Sequence, residues 1–301
     1  MKESTSSTSI SILKPYLSLD ITVIINEENL PTCTIPNFSS SMVANSYFFG
    51  HPIWGKEYFE TSHRHDIFRE RWQAATGSWD EKVVIDLGCG PGNLFATIGG
   101  SPKVIIGVDI SPGALKMAQQ VGYTPLLADA QQLPLADGCA DLVVANATLH
   151  HCDDMDRVLA EAGRLVKLGG LLVTDKDAQS SALNLSGLGL FLREIRFFFY
   201  WVMRSKYYLS VEYRTARQAT ETHNQHPGDG ISPEVYYRVL QPLGFEVKLF
   251  PHNHDLGSEV LTGKIGKMSW KRRLVQRLSG IDPDTPAAAQ SIMCVAKRTA
   301  K

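Results

Sequence analysis

The sequence predicts an α/β fold with a Rossmann-like, doubly wound and mostly parallel sheet of seven strands. Short runs rich in Val, Ile and Leu recur without polar alternation, as expected of strands that are buried on both faces. Helical segments such as residues 112–121 and 155–165 separate most of these runs, and strands that alternate with helices form parallel sheets. The seven runs are residues 83–87, 104–108, 124–127, 142–145, 171–174, 245–250 and 292–296.

Length and composition limit the class of protein. The 301 residues are 44% hydrophobic and 20% charged, which gives room for a real core and excludes global disorder. Lys and Arg number 30 and Asp and Glu number 31, so no strong overall field attracts nucleic acid. Five scattered cysteines without a C-x-x-C pair argue against a disulfide scaffold and favour a reducing, cytoplasmic location.

Two segments fall outside this alternating pattern. Residues 1–45 begin with a Ser/Thr tract, followed by alternation between Leu17 and Ile25, and are predicted to be a tail or an added edge segment. Residues 46–301 are expected to form a single domain, with a helical pattern over residues 55–75. Residues 178–232 are too long for a plain crossover, and they follow the fifth strand, so we predict that they form a lid.

The predicted lid contains a helix near residues 193–204. Arginines at 193, 196 and 204 share one face of it, and apolar side chains occupy the other. No apolar run in the sequence reaches the length of a membrane span. The amphipathic pattern of this helix is compatible with a peripheral contact to a membrane surface.

A glycine-rich turn follows the first predicted strand. The segment Asp86-Leu87-Gly88-Cys89-Gly90-Pro91-Gly92 leads into a helix, and glycine allows a backbone to turn sharply against a ligand. Asn93 stands where a dinucleotide-binding fingerprint would have its third glycine, so the turn disfavours a nicotinamide dinucleotide as the ligand.

Acids end the next two strands. Asp109 lies about twenty residues past the turn, where a carboxylate can accept both hydroxyls of a ribose. Asp129 ends the third strand, where it can accept the exocyclic amine of an adenine in the same crevice.

With these segments, the sequence resembles the class I S-adenosylmethionine-dependent methyltransferases. The similarity is closest to the subgroup of ubiquinone/menaquinone-biosynthesis and natural-product methyltransferases (methyltransferase type 11), and it covers residues 80–180. The segments that carry it are Asp86–Gly92, Gly107–Ser111, Asp129–Pro134, Asp141–Asn146, Leu149–His151 and Arg164–Gly170, where Leu168 replaces the usual proline. The resemblance implies an enzyme of secondary metabolism that methylates an oxygen or carbon of a small, largely apolar metabolite.

The resemblance also implies which residues bind S-adenosylmethionine. Glycines 88, 90 and 92 would line the methionine moiety, with Asp86 near the turn or the amino group. Asp109 and the adjacent Ile110 would hold the ribose, and Asp129 with the backbone of Ala130 would meet the adenine. Asn146 and Ala147 would lie beside the sulfonium.

Histidines at the carboxyl ends of strands are the candidate acid–base residues, since ligands bind at that edge of open α/β sheets. They are His150, His252 and His254. The pairs His252/His254 and His223/His226 also have spacings seen among metal ligands. No cysteine or acid apart from Asp255 stands at ligand spacing beside them, so no metal site is predicted.

Three other functions were weighed. A nucleic-acid methyltransferase is disfavoured because the fourth strand ends in Asn146-Ala147-Thr148-Leu149 and not in an Asn-Pro-Pro-Tyr type of motif. A non-catalytic S-adenosylmethionine-binding module stays open, and a nicotinamide-dependent oxidoreductase is disfavoured by Asn93 and Asp129. The sequence does not predict the oligomeric state.

Overall fold

The computed structural model describes residues 9–19, 22–202 and 211–300, with the side chains of residues 196–202 and of residue 211 left out. Its centre is one sheet in the order β1-β2-β5-β4-β3-β6-β7-β9-β8. The strands are β1 (Val23–Ile25), β2 (Pro31–Cys33), β3 (Val83–Leu87), β4 (Val104–Asp109), β5 (Thr124–Leu127), β6 (Ala140–Asn146), β7 (Val166–Ala178), β8 (Phe245–His252) and β9 (Ser291–Arg298).

The predicted α/β architecture is confirmed, with a central block of parallel strands. Strands β5, β4, β3, β6 and β7 run parallel, and β9 pairs antiparallel with both β7 and β8. Every residue of β3 is buried, because apolar clusters pack on both faces of the sheet. The chain order reverses between β3 and β6, which is the kind of point where open α/β sheets bind ligands.

The sheet has nine strands, so the predicted count of seven was wrong. The two additional strands form an antiparallel hairpin, β1–β2, which extends the edge next to β5 through the pair Thr32–Leu127. Among the described residues of the alternation that begins at Leu17, Val23–Ile25 form a strand, and Leu17 makes an isolated bridge to Leu135.

Residues 9–13 are helical, and eleven further α-helices lie within the described ranges. They are α1 (Ser40–Gly50), α2 (Trp54–Thr61), α3 (Asp66–Thr76), α4 (Asn93–Ile98), α5 (Pro112–Gln120), α6 (Met155–Leu165), α7 (Ser180–Leu183), α8 (Gly187–Val202), α9 (Val211–Thr220), α10 (Pro233–Leu240) and α11 (Trp270–Leu278). The helical pattern over residues 55–75 is two helices and not one. The break has His63 at φ 65°, followed by His65, whose ring caps α3 by accepting the Phe68 amide.

In the part of the insertion between β7 and α10 that the structure describes, the helices are α7, α8 and α9. Helix α8 packs closely against α11, where a Cβ on Gly189 would lie 2.3 Å from the Val275 carbonyl. Helix α9 packs against α1. The predicted arginine stripe lies largely outside the described side chains. No helix in the described ranges has both the length and the apolar character that crossing a membrane requires.

A bulge in β7 places two carboxylates inside the protein. The pairing of β7 with β9 shifts register between Thr174 and Asp177, and Lys176 takes a φ of 70°. Asp175 and Asp177 are both fully buried as a result. Asp175 accepts from Arg71 Nε at 3.0 Å and lies 2.7 Å from His252 Nε2.

Candidate active site

The glycine-rich turn brings bare backbone to the edge of a cavity. Gly88 and Gly90 have φ values of 63° and 53°. A Cβ on Gly88 would lie 2.5 Å from Thr148 Cγ2, whereas a Cβ on Gly90 would meet nothing within 4 Å. Gly90 donates its amide to Asp109 Oδ2 at 2.8 Å, so the turn is tied to the end of β4.

The cavity collects the residues predicted to bind the cofactor, with one exception. The predicted residues in its wall are Asp86, Gly88, Gly90, Asp109, Ile110, Asp129, Ala130, Asn146 and Ala147. Gly92 is the exception. It begins α4 in a left-handed conformation, and a Cβ there would lie 3.0 Å from the Tyr123 ring and 3.2 Å from Ala118 Cα. Gly92 therefore allows α4 to pack against α5.

Burial shifts the pKa of two of the lining carboxylates, Asp86, which is fully buried, and Asp109, which is partly buried. Burial raises the pKa of Asp86 to about 7, although the Tyr123 hydroxyl donates to it at 2.7 Å. Burial also raises the pKa of Asp109 to about 6, against the opposing effect of backbone amides such as that of Ser111. Groups with such raised values gain by meeting a cation or a donor.

Asn146 and Asn93 present buried carbonyl oxygens without a hydrogen-bond partner among the described residues. Both side chains line the cavity. Asn146 Nδ2 lies 3.4 Å from His63 Nδ1, while Asn93 Nδ2 donates to three carbonyls at the end of α2, including that of Ser62 at 2.9 Å. Since buried acceptors are normally satisfied, Asn146 Oδ1 fits a bound ligand that carries a donor.

The N-terminal helices form a wall that the sequence did not predict. Side chains from α1 and α2 and from the break after α2 line the cavity, namely Met42, Asn45, Phe49, Tyr58 and His63. The aromatic spacing in this region predicts a helix, but it does not say what the helix covers.

A second cavity adjoins the first. Both cavities share Phe49, Tyr58, His63, Ala147 and His151 as lining residues. Further lining comes from the ends of β7 and β9 and from the insertion, and it includes several charged groups. These charged side chains are Glu57, Lys176, Arg217, Glu221 and Arg272.

His150, one of the predicted acid–base residues, lies in this second cavity. Its Nδ1 is 2.8 Å from Asp177 Oδ1, and its Nε2 is 3.5 Å from Glu221 Oε2. Burial opposes protonation, but the hydrogen bond that the His150 ring donates to Asp177 and the charges of Asp177 and Glu221 hold the pKa of His150 above its usual value.

The other two predicted histidines have different surroundings. His252 is fully buried, with Nε2 on Asp175 and Nδ1 accepting the amide of His254 at 3.2 Å. His254 lines the second cavity, and its Nε2 is hydrogen-bonded to the Ser291 hydroxyl. Burial, with the nearby Lys176, lowers the pKa of His254 to about 2. His252 thus supports the wall of the cavity, while His254 forms part of that wall.

His151 follows His150 in the Leu149–His151 motif and is a further candidate at the end of the fourth predicted strand. It lines both cavities, and its Nδ1 lies 2.6 Å from the Thr220 carbonyl. Nδ1 must donate in that contact, so Nε2 carries a free lone pair. Burial, with the adjacent His150, holds the pKa of His151 well below its usual value. The Leu149–His151 motif is the sequence feature from which the position of His151 at the cavities could be predicted.

A doubly wound sheet with a glycine turn and strand-terminal carboxylates around a cavity defines a cofactor-binding domain of the nucleotide type. Comparison with known proteins shows what that domain is similar to. Residues 85–174, which are less than half of the chain, match the family model described as a methyltransferase domain. This stretch holds the glycine turn with Asp109 and Asp129, so the candidate cofactor site lies in the part of the chain that is similar to methyltransferases.

Curated relatives share part of the chain. A malonyl-[acyl-carrier protein] O-methyltransferase of Hamiltonella defensa is 32% identical over 113 residues, which are 37% of this chain and 44% of that protein. A demethylmenaquinone methyltransferase of Thermobifida fusca is 32% identical over 117 residues, 36% of this chain and 50% of the relative. The chain thus spans half or less of the length of these two relatives.

Solved structures share the fold over a longer stretch. An S-adenosylmethionine-dependent methyltransferase from Thermotoga maritima superimposes with a TM-score of 0.50 at 20% identity, covering 84% of this chain and 99% of that one. The similarity at this level of identity concerns the fold alone.

Proposed function

We propose that this protein transfers a methyl group from S-adenosylmethionine to an oxygen or carbon of a small metabolite. The observation that carries the proposal is the pair of adjoining cavities. One is lined by the glycine turn and the strand-terminal acids, and the other is lined by histidines and charged side chains. Because the two cavities share lining residues, a cofactor in the first and an acceptor in the second would lie within reach of each other.

The residues present fit the cofactor. The open space over Gly90, the high-pKa carboxyls of Asp86 and Asp109 and the unpartnered Asn146 Oδ1 suit a ligand with an ammonium group and hydroxyls. We assign Asp86 and Asn146 to the methionine end, Asp109 and Ile110 to the ribose, and Asp129 with Ala130 to the adenine. The bound cofactor supplies an electrophilic methyl group on a sulfonium.

The acceptor would enter the second cavity. Lys176, Arg217 and Arg272 lie in its wall, so we propose that the acceptor carries a polar or anionic group at this end. Phe48, Leu183 and Tyr213 supply apolar surface for the rest of the molecule. The acceptor predicted from the sequence was largely apolar, and this cavity favours one that is apolar in part.

The protein must align the acceptor, exclude water and remove a proton where the acceptor is a hydroxyl or an acidic carbon. We propose that the acceptor loses this proton near His150, because Asp177 orients the His150 ring in this part of the cavity. His254 lines the same cavity as a further contact, and His252 acts as a positioning residue through Asp175 and the His254 amide.

We propose that the insertion, residues 178–232, covers the acceptor cavity. Seven of its residues support this by lining the cavity, and they are Ala178, Leu183, Tyr213, Arg217, Thr220, Glu221 and Asn224. Hydrogen exchange of the insertion should slow when S-adenosylhomocysteine and an acceptor bind together. Exchange that is already slow and indifferent to ligands would make the insertion a fixed cap.

Turnover tests the function. The full chain is incubated with S-adenosylmethionine labelled in the methyl group and a panel of hydroxylated quinones, phenols and carboxylic acids. Label in an acceptor, lost in Asp109→Ala, supports methyl transfer. Tight cofactor binding without label in any acceptor would favour a non-catalytic binding module instead.

A further inference from the structure

Three potential metal ligands converge in the acceptor cavity. Among the described residues, His150, His151 and Glu221 each offer one ligand atom, and these atoms all lie within 4.8 Å of one another. The measured pair, His150 Nε2 and Glu221 Oε2, is 3.5 Å apart. Ligands on a tetrahedral ion with bonds of about 2.0–2.2 Å lie roughly 3.3–3.5 Å apart, so this pair already has the separation that one ion requires.

Each of the three ligands has an outer partner that fixes its orientation. The distal nitrogen of His150 faces Asp177 Oδ1 at 2.8 Å, and that of His151 faces the Thr220 carbonyl at 2.6 Å. Glu221 Oε2 accepts from Asn224 Nδ2 at 3.0 Å. Metal-binding histidines in proteins are held in this way, with one ring nitrogen on a carboxylate or carbonyl and the other on the ion.

Hydrogen bonds from two other segments hold the backbone around the cluster. The His150 carbonyl accepts the amide of His223 at 2.9 Å, which links it to the segment just after Glu221. The His151 carbonyl accepts the hydroxyls of Ser41, at 3.1 Å, and Thr222, at 3.0 Å. Helix α1 and the end of the insertion therefore hold the two histidines and Glu221 in place before any ligand arrives.

We propose that His150, His151 and Glu221 form a binding site for a divalent transition-metal ion, an inference that rests on the proposed function for its role in methyl transfer. Two imidazoles and one carboxylate suit first-row ions such as zinc, cobalt, manganese or ferrous iron, and they are poor ligands for magnesium or calcium. The residues come from two segments far apart in sequence, which is why the spacing of histidines along the chain predicts no metal.

Three protein ligands leave coordination positions open toward the acceptor cavity, as in catalytic metal sites. The ion would bind an oxygen of the acceptor and lower the pKa of its hydroxyl, so that the proton leaves to solvent water before the oxygen attacks. This favours acceptors with two neighbouring oxygens, such as an ortho-diphenol or a hydroxycarboxylate. The cationic side chains in the same wall suit the anion that results.

Metal binding is measured on the full chain without cofactor. The protein is stripped with a chelator, then titrated with Zn²⁺ in competition with a chromogenic chelator, and with Co²⁺ followed by visible absorption. We expect one ion per chain. His151→Ala and Glu221→Gln should each weaken Zn²⁺ binding at least tenfold, and Asp177→Asn should weaken it about 10- to 100-fold, as is typical of outer partners.

His226→Ala is the matched control, because His226 is an exposed histidine outside the cluster, and it should bind Zn²⁺ as the parent does. Glu221→Gln keeps the shape of the side chain, so its result stays interpretable if Asp177→Asn unfolds. Binding that no cluster variant changes, or no stoichiometric binding, would overturn the site. Calorimetry with S-adenosylmethionine separates the two proposals: a chain that binds metal and cofactor but methylates no acceptor contradicts the proposed function alone.

Discussion

The first cavity, where we propose that the cofactor binds (the cofactor cavity), and the second cavity, where we propose that the acceptor binds (the acceptor cavity), are built in different ways. The cofactor cavity takes most of its wall from the ends of β3, β4, β5 and β6, where backbone contacts such as Gly90 to Asp109 join neighbouring strands. The acceptor cavity draws on α1, α2, the insertion and residues near the C-terminus. One cavity depends on adjacent strand ends, and the other depends on distant segments packing together.

The difference shows where specificity can change. The proposed cofactor site depends on one edge of the sheet, while the proposed acceptor site depends on added segments that can change without disturbing that edge. The two cavities should therefore respond separately to substitution.

The largest effect is expected from Asp175→Asn, beneath the acceptor wall. Asp175 sits between Arg71 and His252 with no exposed surface, and its loss leaves a buried guanidinium without its counter-charge. Breaking such a pair typically costs about 3–5 kcal/mol of unfolding free energy. Urea denaturation measures this cost.

A pH series checks the same network. Burial alone would raise the pKa of Asp175, but the charges of His252 and Arg71 hold it well below its usual range. Its contribution to stability is therefore complete above about pH 4 and is lost as the pH falls further. If Asp175→Asn were as stable as the parent protein at pH 7, the interactions of Asp175 with Arg71 and His252 would not stabilise the fold. Cofactor affinity should stay unchanged while the variant is folded.

The next effect concerns the cofactor cavity alone. Gly90→Val places a branched side chain in the open space over the turn, so S-adenosylmethionine affinity should fall at least about 100-fold, near 2.7 kcal/mol. Gly263→Val is the control, since Gly263 is also left-handed with nothing within 4 Å of a Cβ but lines neither cavity. It should share the backbone strain of about 1–2 kcal/mol without losing the cofactor. Equal losses in both variants would mean that strain alone is responsible.

Asp109→Ala should weaken S-adenosylmethionine by about 2 kcal/mol, roughly 30-fold, because charge-assisted hydrogen bonds to the ribose disappear. Calorimetric titration measures it. Asp137→Ala, which removes a largely exposed partner of Arg164, should leave the affinity as it is. Unchanged affinity in Asp109→Ala would show that Asp109 is not the ribose ligand.

The smallest effect is a pH dependence of cofactor affinity. The pKa of Asp109 is about 6, and its ionised form is the better acceptor for hydroxyls. Affinity should therefore hold above pH 7 and fall below pH 6, by up to about tenfold at pH 5. Asp109→Asn should flatten this part of the profile. The pKa of Asp86 is raised to about 7, so its protonation also weakens cofactor binding, but nearer pH 7. A slope of affinity against pH that remains near pH 7 in Asp109→Asn is therefore due to Asp86.

The same contrast explains what the sequence could predict. Strand runs, the glycine turn and the acids Asp109 and Asp129 follow one another locally, so their positions at one sheet edge follow from topology. The sequence predicts that Gly92 contacts the ligand, because all three turn glycines look alike in sequence. In the structure, the missing side chain of Gly92 leaves room for Tyr123 and α5 to pack against it.

The acceptor cavity needed long-range information. His252 and His254 stand two residues apart at a strand end, but the pairing of His252 with Ser291 turns only the first of them fully inward. Glu221 reaches His150 across 71 positions, through an insertion without the regular pattern of the sheet. Contacts of this kind arise from packing, which periodicity and motif spacing do not encode.

The most direct test of the account is a calorimetric titration of the full chain with S-adenosylmethionine and, separately, with NAD. The strand-terminal acids and the glycine turn predict one S-adenosylmethionine bound per chain, weakened by Asp109→Ala and blocked by Gly90→Val, with no saturable binding of NAD. Saturable binding of NAD without binding of S-adenosylmethionine would contradict it.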